Sequence, residues 1–189
     1  MLDAFLTDYL EAAAAVTAGL PRERIADAVR HLAAARDGGH TVFVAGNGGS
    51  ATVAANLVVD LVKCGSFGKS KRFRAVNLAD SVATTTAFAN DEGYDTVFAE
   101  PLRSFAAPGD VLVVISGSGD SPNVLRAVEA ARELDCSVIA MTSAEQGRLR
   151  ELADVPLLVP SRHMGRLEDA FFVLSHTLAY PCIEDVPGL

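Results

Sequence analysis

A β-branched run, a loop of glycine and serine, and an alanine-rich stretch follow one another at 41–62 and again at 111–134. This repeated unit constrains the fold more than any other feature. A strand that runs into a helix returns to a parallel neighbour by a right-handed crossover. Thr41–Ala45, Arg74–Leu78, Val111–Ile115, Ser137–Met141 and Val155–Val159 are the candidate strands. Their near-continuous apolarity predicts burial on both faces, so the expected class is α/β, a three-layer sandwich around a five-stranded parallel sheet. Residues 1–37 read as two helices: Leu2, Phe5, Leu6 and Leu10 recur at helical spacing in the first, and Ile25, Val29 and Leu32 in the second. Gly19-Leu20-Pro21 separates them and Gly38-Gly39 closes the pair. A last helix at about 165–180 carries Leu167, Ala170, Phe171, Leu174 and Leu178 on one face. No linker-like composition interrupts the chain. Residues 1–189 are read as a single domain, with the helical pair at 1–37 and the α/β core at 40–189.

Lys and Arg total 16 against 24 Asp and Glu, a net charge of −8. The overall field repels polyanions, so neither nucleic acid nor an anionic membrane is an expected partner. No apolar run reaches the roughly 20 residues that span a bilayer. The N-terminal Met1–Ala12 carries acids where a secretory signal would carry Lys or Arg, and a cytoplasmic location is expected. Cys64, Cys136 and Cys182 lie far apart without a CxxC pair, which suits buried thiols in a reducing compartment.

Both loops follow strands, where open α/β sheets bind ligands and where a helix N-terminus favours an anion. The first is Gly46-Asn47-Gly48-Gly49-Ser50-Ala51. Its Gly46-x-Gly48-x-x-Ala51 spacing matches a dinucleotide fingerprint formally, but Asp60 comes too early and Asp80 too late to hold a ribose. No nucleotide cofactor is expected. The second is Ser116-Gly117-Ser118-Gly119-Asp120-Ser121-Pro122, in which Ser121 and Pro122 form an N-cap and first-turn pair. Its hydroxyls can converge on a small anion without arginine. Gly65–Ser70 lacks the Walker spacer and reads as an exposed loop, and Lys69, Lys71, Arg72 and Arg74 read as a solvated rim.

Val42-Phe43-Val44-Ala45-Gly46-Asn47-Gly48-Gly49-Ser50-Ala51, Ala89-Asn90-Asp91-Glu92-Gly93-Tyr94, and Pro108-Gly109-Asp110-Val111-Leu112 through Ser116–Val124 resemble the SIS (sugar isomerase) domain family, particularly its phosphoheptose isomerase branch. The resemblance covers almost the whole chain. It implies the flavodoxin-like SIS fold, a phosphorylated sugar as ligand, a homotetramer with sites between subunits, and a zinc ion. By resemblance Ser50, Ser116, Ser118 and Ser121 bind phosphate, with Gly48, Gly49 and Gly117 in the same loops, and Asn47 and Asp91 contact sugar hydroxyls. Departures fall at the chemistry. Asn56 stands where the family has His, Asp60 where it has Glu, Glu168 where it has Gln, and Cys64 where it has Arg, leaving Lys63 as the nearest cation; His176 is retained. The implied metal ligands are Asp60, Glu168 and His176, and Glu168 is also implied among the substrate-binding residues.

Aldose–ketose isomerisation moves a proton between adjacent carbons through an enediol, which needs a base and an acid near the carbonyl oxygen. Asp60 is the candidate base and His176 the candidate acid. Four-residue spacing puts Asn56 and Asp60 on one helix face, and an acid among Leu57, Val58, Val59, Leu61 and Val62 must be paired, hydrogen-bonded or functional. Glu168 beside Asp169 also suits the dipole at a helix start, and His176 also suits a hydrogen-bonded structural role. His31, His40 and His163 show no partner pattern. The reaction that the family resemblance implies is conversion of sedoheptulose 7-phosphate to D-glycero-D-manno-heptopyranose 7-phosphate. The alternatives are a non-catalytic sugar-phosphate-binding regulator or partner-docking module, and an isomerase of another phosphorylated sugar.

Overall fold

A computed structural model describes residues 1–189. Five parallel strands form one sheet in the order β2-β1-β3-β4-β5: β1 Thr41–Gly46, β2 Arg74–Asn77, β3 Val111–Ser116, β4 Ser137–Ser143 and β5 Val155–Val159. The expected strands are all present. Pairing carries β1, β3 and β4 further than their apolar runs, through Gly46, Ser116 and Ser143, while β2 stops before Leu78.

Eight α-helices surround the sheet: α1 Leu2–Ala18, α2 Arg22–Gly38, α3 Gly49–Val59, α4 Val82–Asp91, α5 Ala99–Phe105, α6 Pro122–Glu133, α7 Leu149–Leu152 and α8 Met164–Ile183. Alternation along the strands divides the core into two layers. Val42, Val44, Val113 and Ile115 face a cluster with Leu32, Leu57, Phe171 and Leu174 from α2, α3 and α8. Phe43, Ala45, Leu112 and Val114 face one with Leu102, Val124 and Val128 from α5 and α6. Phe171 is fully buried, so its truncation to Ala would cost about 3–5 kcal/mol. Helix α1 packs along α8 but buries no residue of its own, and Leu2, Phe5, Leu6 and Leu10 stay exposed.

Helix α3 opens into a π-helical turn at Asp60–Cys64. The segment after it departs from the expected exposed loop. Ser66 is buried, donating to the Leu61 carbonyl at 2.8 Å and accepting from Phe73 N–H at 2.8 Å. Half of the expected solvated rim is engaged as well. Lys69 donates to the carbonyls of Cys182 (2.7 Å) and Ile183 (2.9 Å), capping the end of α8, and Lys71 pairs with Asp37 at 2.6 Å.

Candidate active site

Strands β1 and β3 are neighbours, yet their helices leave in opposite directions: α3 crosses to one face of the sheet and α6 to the other. The crevice between such strands is the position where open α/β sheets take ligands. A cleft of about 340 Å³ lies there. The first loop lines it with Asn47, Gly48, Gly49 and Ser50, and the second with Ser116, Gly117, Ser118 and Ser121. Glu168 and Met164 at the start of α8 complete the wall.

Hydroxyls of Ser116, Ser118 and Ser121 form a triangle with sides of 3.2–3.4 Å. Ser121 occupies the N-cap position of α6 as expected, but its hydroxyl makes no capping bond and turns to the other two serines. The second loop is braced from behind. Gln146 Nε2 donates to the Gly117 carbonyl at 3.1 Å, and Arg148 donates to Asp120 from its backbone and its side chain. These bonds hold the Asp120 carboxyl below its ordinary value. Gly48 has φ +55°, a left-handed conformation suited to glycine.

Helices α3 and α8 run side by side from this cleft in the same direction. At the cleft end, a Cβ on Gly49 would collide with the Glu168 carboxylate. Further along, Asn56 Nδ2 donates to Ser175 Oγ at 3.0 Å and to Asp60 Oδ2 at 3.4 Å. Beyond that level, Asp60 Oδ2 lies 3.8 Å from His176 Nε2. Asp60 and His176 are therefore brought together, with the Asp60 side chain largely buried and the His176 ring half exposed. Tyr180 meets that ring edge-on.

Glu168 is not at that place. It lies eight residues before His176, roughly 12 Å along the helix axis, beside the serine loops. No three side chains of His, Cys, Asp or Glu converge within the chain. The third group beside Asp60 and His176 is the Asn56 amide, which donates to Asp60 and Ser175 and offers no imidazole nitrogen. The side chains of this chain thus do not by themselves make the zinc set that the resemblance implies. Asp91 ends α4, exposed, with its carboxylate accepting from Asn90 at 2.7 Å, and is not among the residues that line the cleft. Lys63 is exposed in the π-turn beside half-buried Cys64.

Two residues without an expected role hold Asn47 of the cleft wall from behind. Asn123 and Asn47 exchange side-chain bonds of 2.9 and 2.8 Å, and Tyr94 donates to Asn47 Oδ1 at 3.0 Å. Both stand inside the stretches that carry the family resemblance. The available signal was an amide placed directly after the Ser121-Pro122 helix start.

Residues 8–143 match the SIS domain family. The chain belongs to that family. Among its SIS relatives, a phosphoheptose isomerase of Mycobacterium bovis is 43% identical over 141 residues, covering 75% of this chain and 71% of the relative. The solved phosphoheptose isomerase of Francisella tularensis superposes with a TM-score of 0.89 at 31% identity, covering 97% of this chain and 99% of that one. That of Neisseria gonorrhoeae gives 0.90 at 29% identity, covering 98% and 100%. The SIS assignment thus extends through α8, which carries Glu168 and His176.

Proposed function

We propose that the chain is an aldose–ketose isomerase that converts sedoheptulose 7-phosphate to D-glycero-D-manno-heptopyranose 7-phosphate. The observation that carries this reading is the arrangement along the α3–α8 seam, with a serine cradle at one end and an Asp60–His176 pair at the other. Ser50 and Asp60 are ten residues apart, roughly 15 Å of helix axis. The Cβ of Asp60 tilts back toward the cradle, as side chains on a helix do. A seven-carbon chain phosphorylated at its far end suits that span; a triose phosphate is too short.

Neutral donors hold the phosphate: the hydroxyls of Ser50, Ser116, Ser118 and Ser121, and the N–H groups at the two helix starts. Asp60 removes a proton from C1 while protonated His176 gives one to the carbonyl oxygen on C2, and the enediol forms. Asp60 then returns its proton to C2. His176 takes the O1 proton, which restores both groups and leaves the aldehyde at C1. Asn56, bridging Asp60 and Ser175, orients the base. No step requires a metal.

The reading extends to assembly and location. The uncovered face of α1, with Leu2 69% and Leu10 66% exposed, supports a homotetramer in which these faces meet. No helix is long and apolar enough to cross a membrane, and Cys136 and Cys182 are buried free thiols, which favours a cytoplasmic location. Purified protein incubated with sedoheptulose 7-phosphate should yield the aldose, with and without added zinc. Absence of product under both conditions rejects the reaction, and sugar-phosphate binding without turnover would favour a regulator. Sedimentation should return four chains per particle.

A further inference from the structure

We infer that Asn123 and Tyr94 are positioning residues that lock the two serine loops together across the crevice and fix Asn47 as a hydrogen-bond donor to the bound phosphate group. The inference rests on the reading of the cleft as a phosphate cradle. Because α3 and α6 leave toward opposite faces of the sheet, the loops that precede them diverge. The Asn47–Asn123 pair reconnects them with two reciprocal bonds of 2.9 and 2.8 Å. Asn123 is 2% exposed, where an unpaired amide would be costly.

The direction of each bond follows from the backbone. Val124 N–H donates to Asn123 Oδ1 at 3.0 Å, so that atom is the oxygen. Asn123 Nδ2 must then be the group facing Asn47 Oδ1, and Asn47 Nδ2 the group facing Asn123 Oδ1. Tyr94 supplies a second donor to Asn47 Oδ1 at 3.0 Å. With two donors, the lone pairs of that oxygen are filled. What Asn47 has left for a ligand at the cleft wall is its second N–H, which can donate to a phosphate oxygen, while its filled oxygen cannot accept from a hydroxyl.

Asn123→Asp tests this directly. An aspartate still accepts from Val124 N–H but sets an oxygen against Asn47 Oδ1 where Asn123 Nδ2 donated, so the reciprocal pair is broken and the Asn47 amide is no longer held with its free N–H toward the ligand. Tyr94→Phe removes the other donor from an exposed position and leaves the buried pair intact. Calorimetric titration with inorganic phosphate should give a dissociation constant about tenfold weaker for Asn123→Asp and about threefold weaker for Tyr94→Phe, the size expected for one bond to a charged group and one to its orienting partner. With sedoheptulose 7-phosphate, KM should rise in parallel while kcat stays within about threefold, a split that loss of folded protein does not produce. If Asn123→Asp fails to fold, Tyr94→Phe carries the test. Unchanged phosphate affinity in the folded variants overturns the inference alone. No phosphate binding by the unaltered protein overturns the cradle and the inference with it.

Discussion

Gly49 and Glu168 share one level of the α3–α8 seam, and the carboxylate of Glu168 fills the space that a side chain on Gly49 would take. A negative charge therefore stands beside the hydroxyls that form the anion cradle. The charge works against phosphate, and it faces the first turn of α3, where the helix dipole favours it.

Replacing that charge should improve anion binding. Glu168→Gln is expected to tighten inorganic phosphate roughly three- to tenfold at low ionic strength, and the gain should shrink as salt screens the cleft. Titration at two salt concentrations checks both parts. Weaker binding by the variant would mean that Glu168 accepts a bond from the ligand instead.

At the other end of the seam, Asp60→Asn should abolish exchange of the C1 proton with solvent, by about a hundredfold or more. Sugar-phosphate affinity should persist, since Ser50 lies ten residues back along α3 and the other serines lie in the loop between β3 and α6. Exchange followed by proton NMR in deuterated water distinguishes the two effects. Unchanged exchange excludes Asp60 as the base.

Asn56 decides the metal question. Asn56→His places a ring nitrogen beside Asp60 and His176, giving a mixed nitrogen and oxygen set of the type that zinc accepts. Elemental analysis after dialysis against zinc should show about one ion per chain in the variant and far less in the unaltered protein. Equal zinc content in both would show that the amide does not control the site.

Burial pushes the Cys136 thiol up from 9.0 to about 11, with Asp110 and Asp135 adding to the effect. In the unfolded chain the thiol ionises at its ordinary value, so the stabilisation is complete below about pH 9. It is lost as pH rises from there through about 11. Urea melts between pH 8 and 11 should show this decline, and Cys136→Ala should flatten it. At neutral pH neither Cys136 nor Cys182, whose thiol burial also raises, should react with an alkylating reagent until the protein unfolds.

Much of the fold was legible because period and composition coincide. Runs such as Val111–Ile115 admit only a strand buried on both faces, and the serine loops end where the strands end. What local pattern could not convey was partnership. Ser121 carries the signature of a capping residue, yet its hydroxyl serves the cleft, since Pro122 already starts the helix and two other serines lie within reach. Asp91 carries the family signature, but its place at the exposed end of α4 leaves Tyr94, three residues on, as the side chain that reaches the first loop. Glu168 and His176 share a helix, and their eight-residue spacing already sets them roughly 12 Å apart; the course of α3 beside it shows which residues each level meets.

The widened turn at Asp60–Cys64 holds one more residue per turn than the α-helix that leads into it. Segment length is therefore specified there as tightly as residue type. Deleting a single residue would close the widened turn to α-helical spacing and shorten the path from Asp60 to Ser66. Ser66 would lose its bond to the Leu61 carbonyl, and Lys69 would be drawn away from the end of α8. Homologues that differ freely in composition through 61–65 should then still agree in the number of residues between the base and that brace.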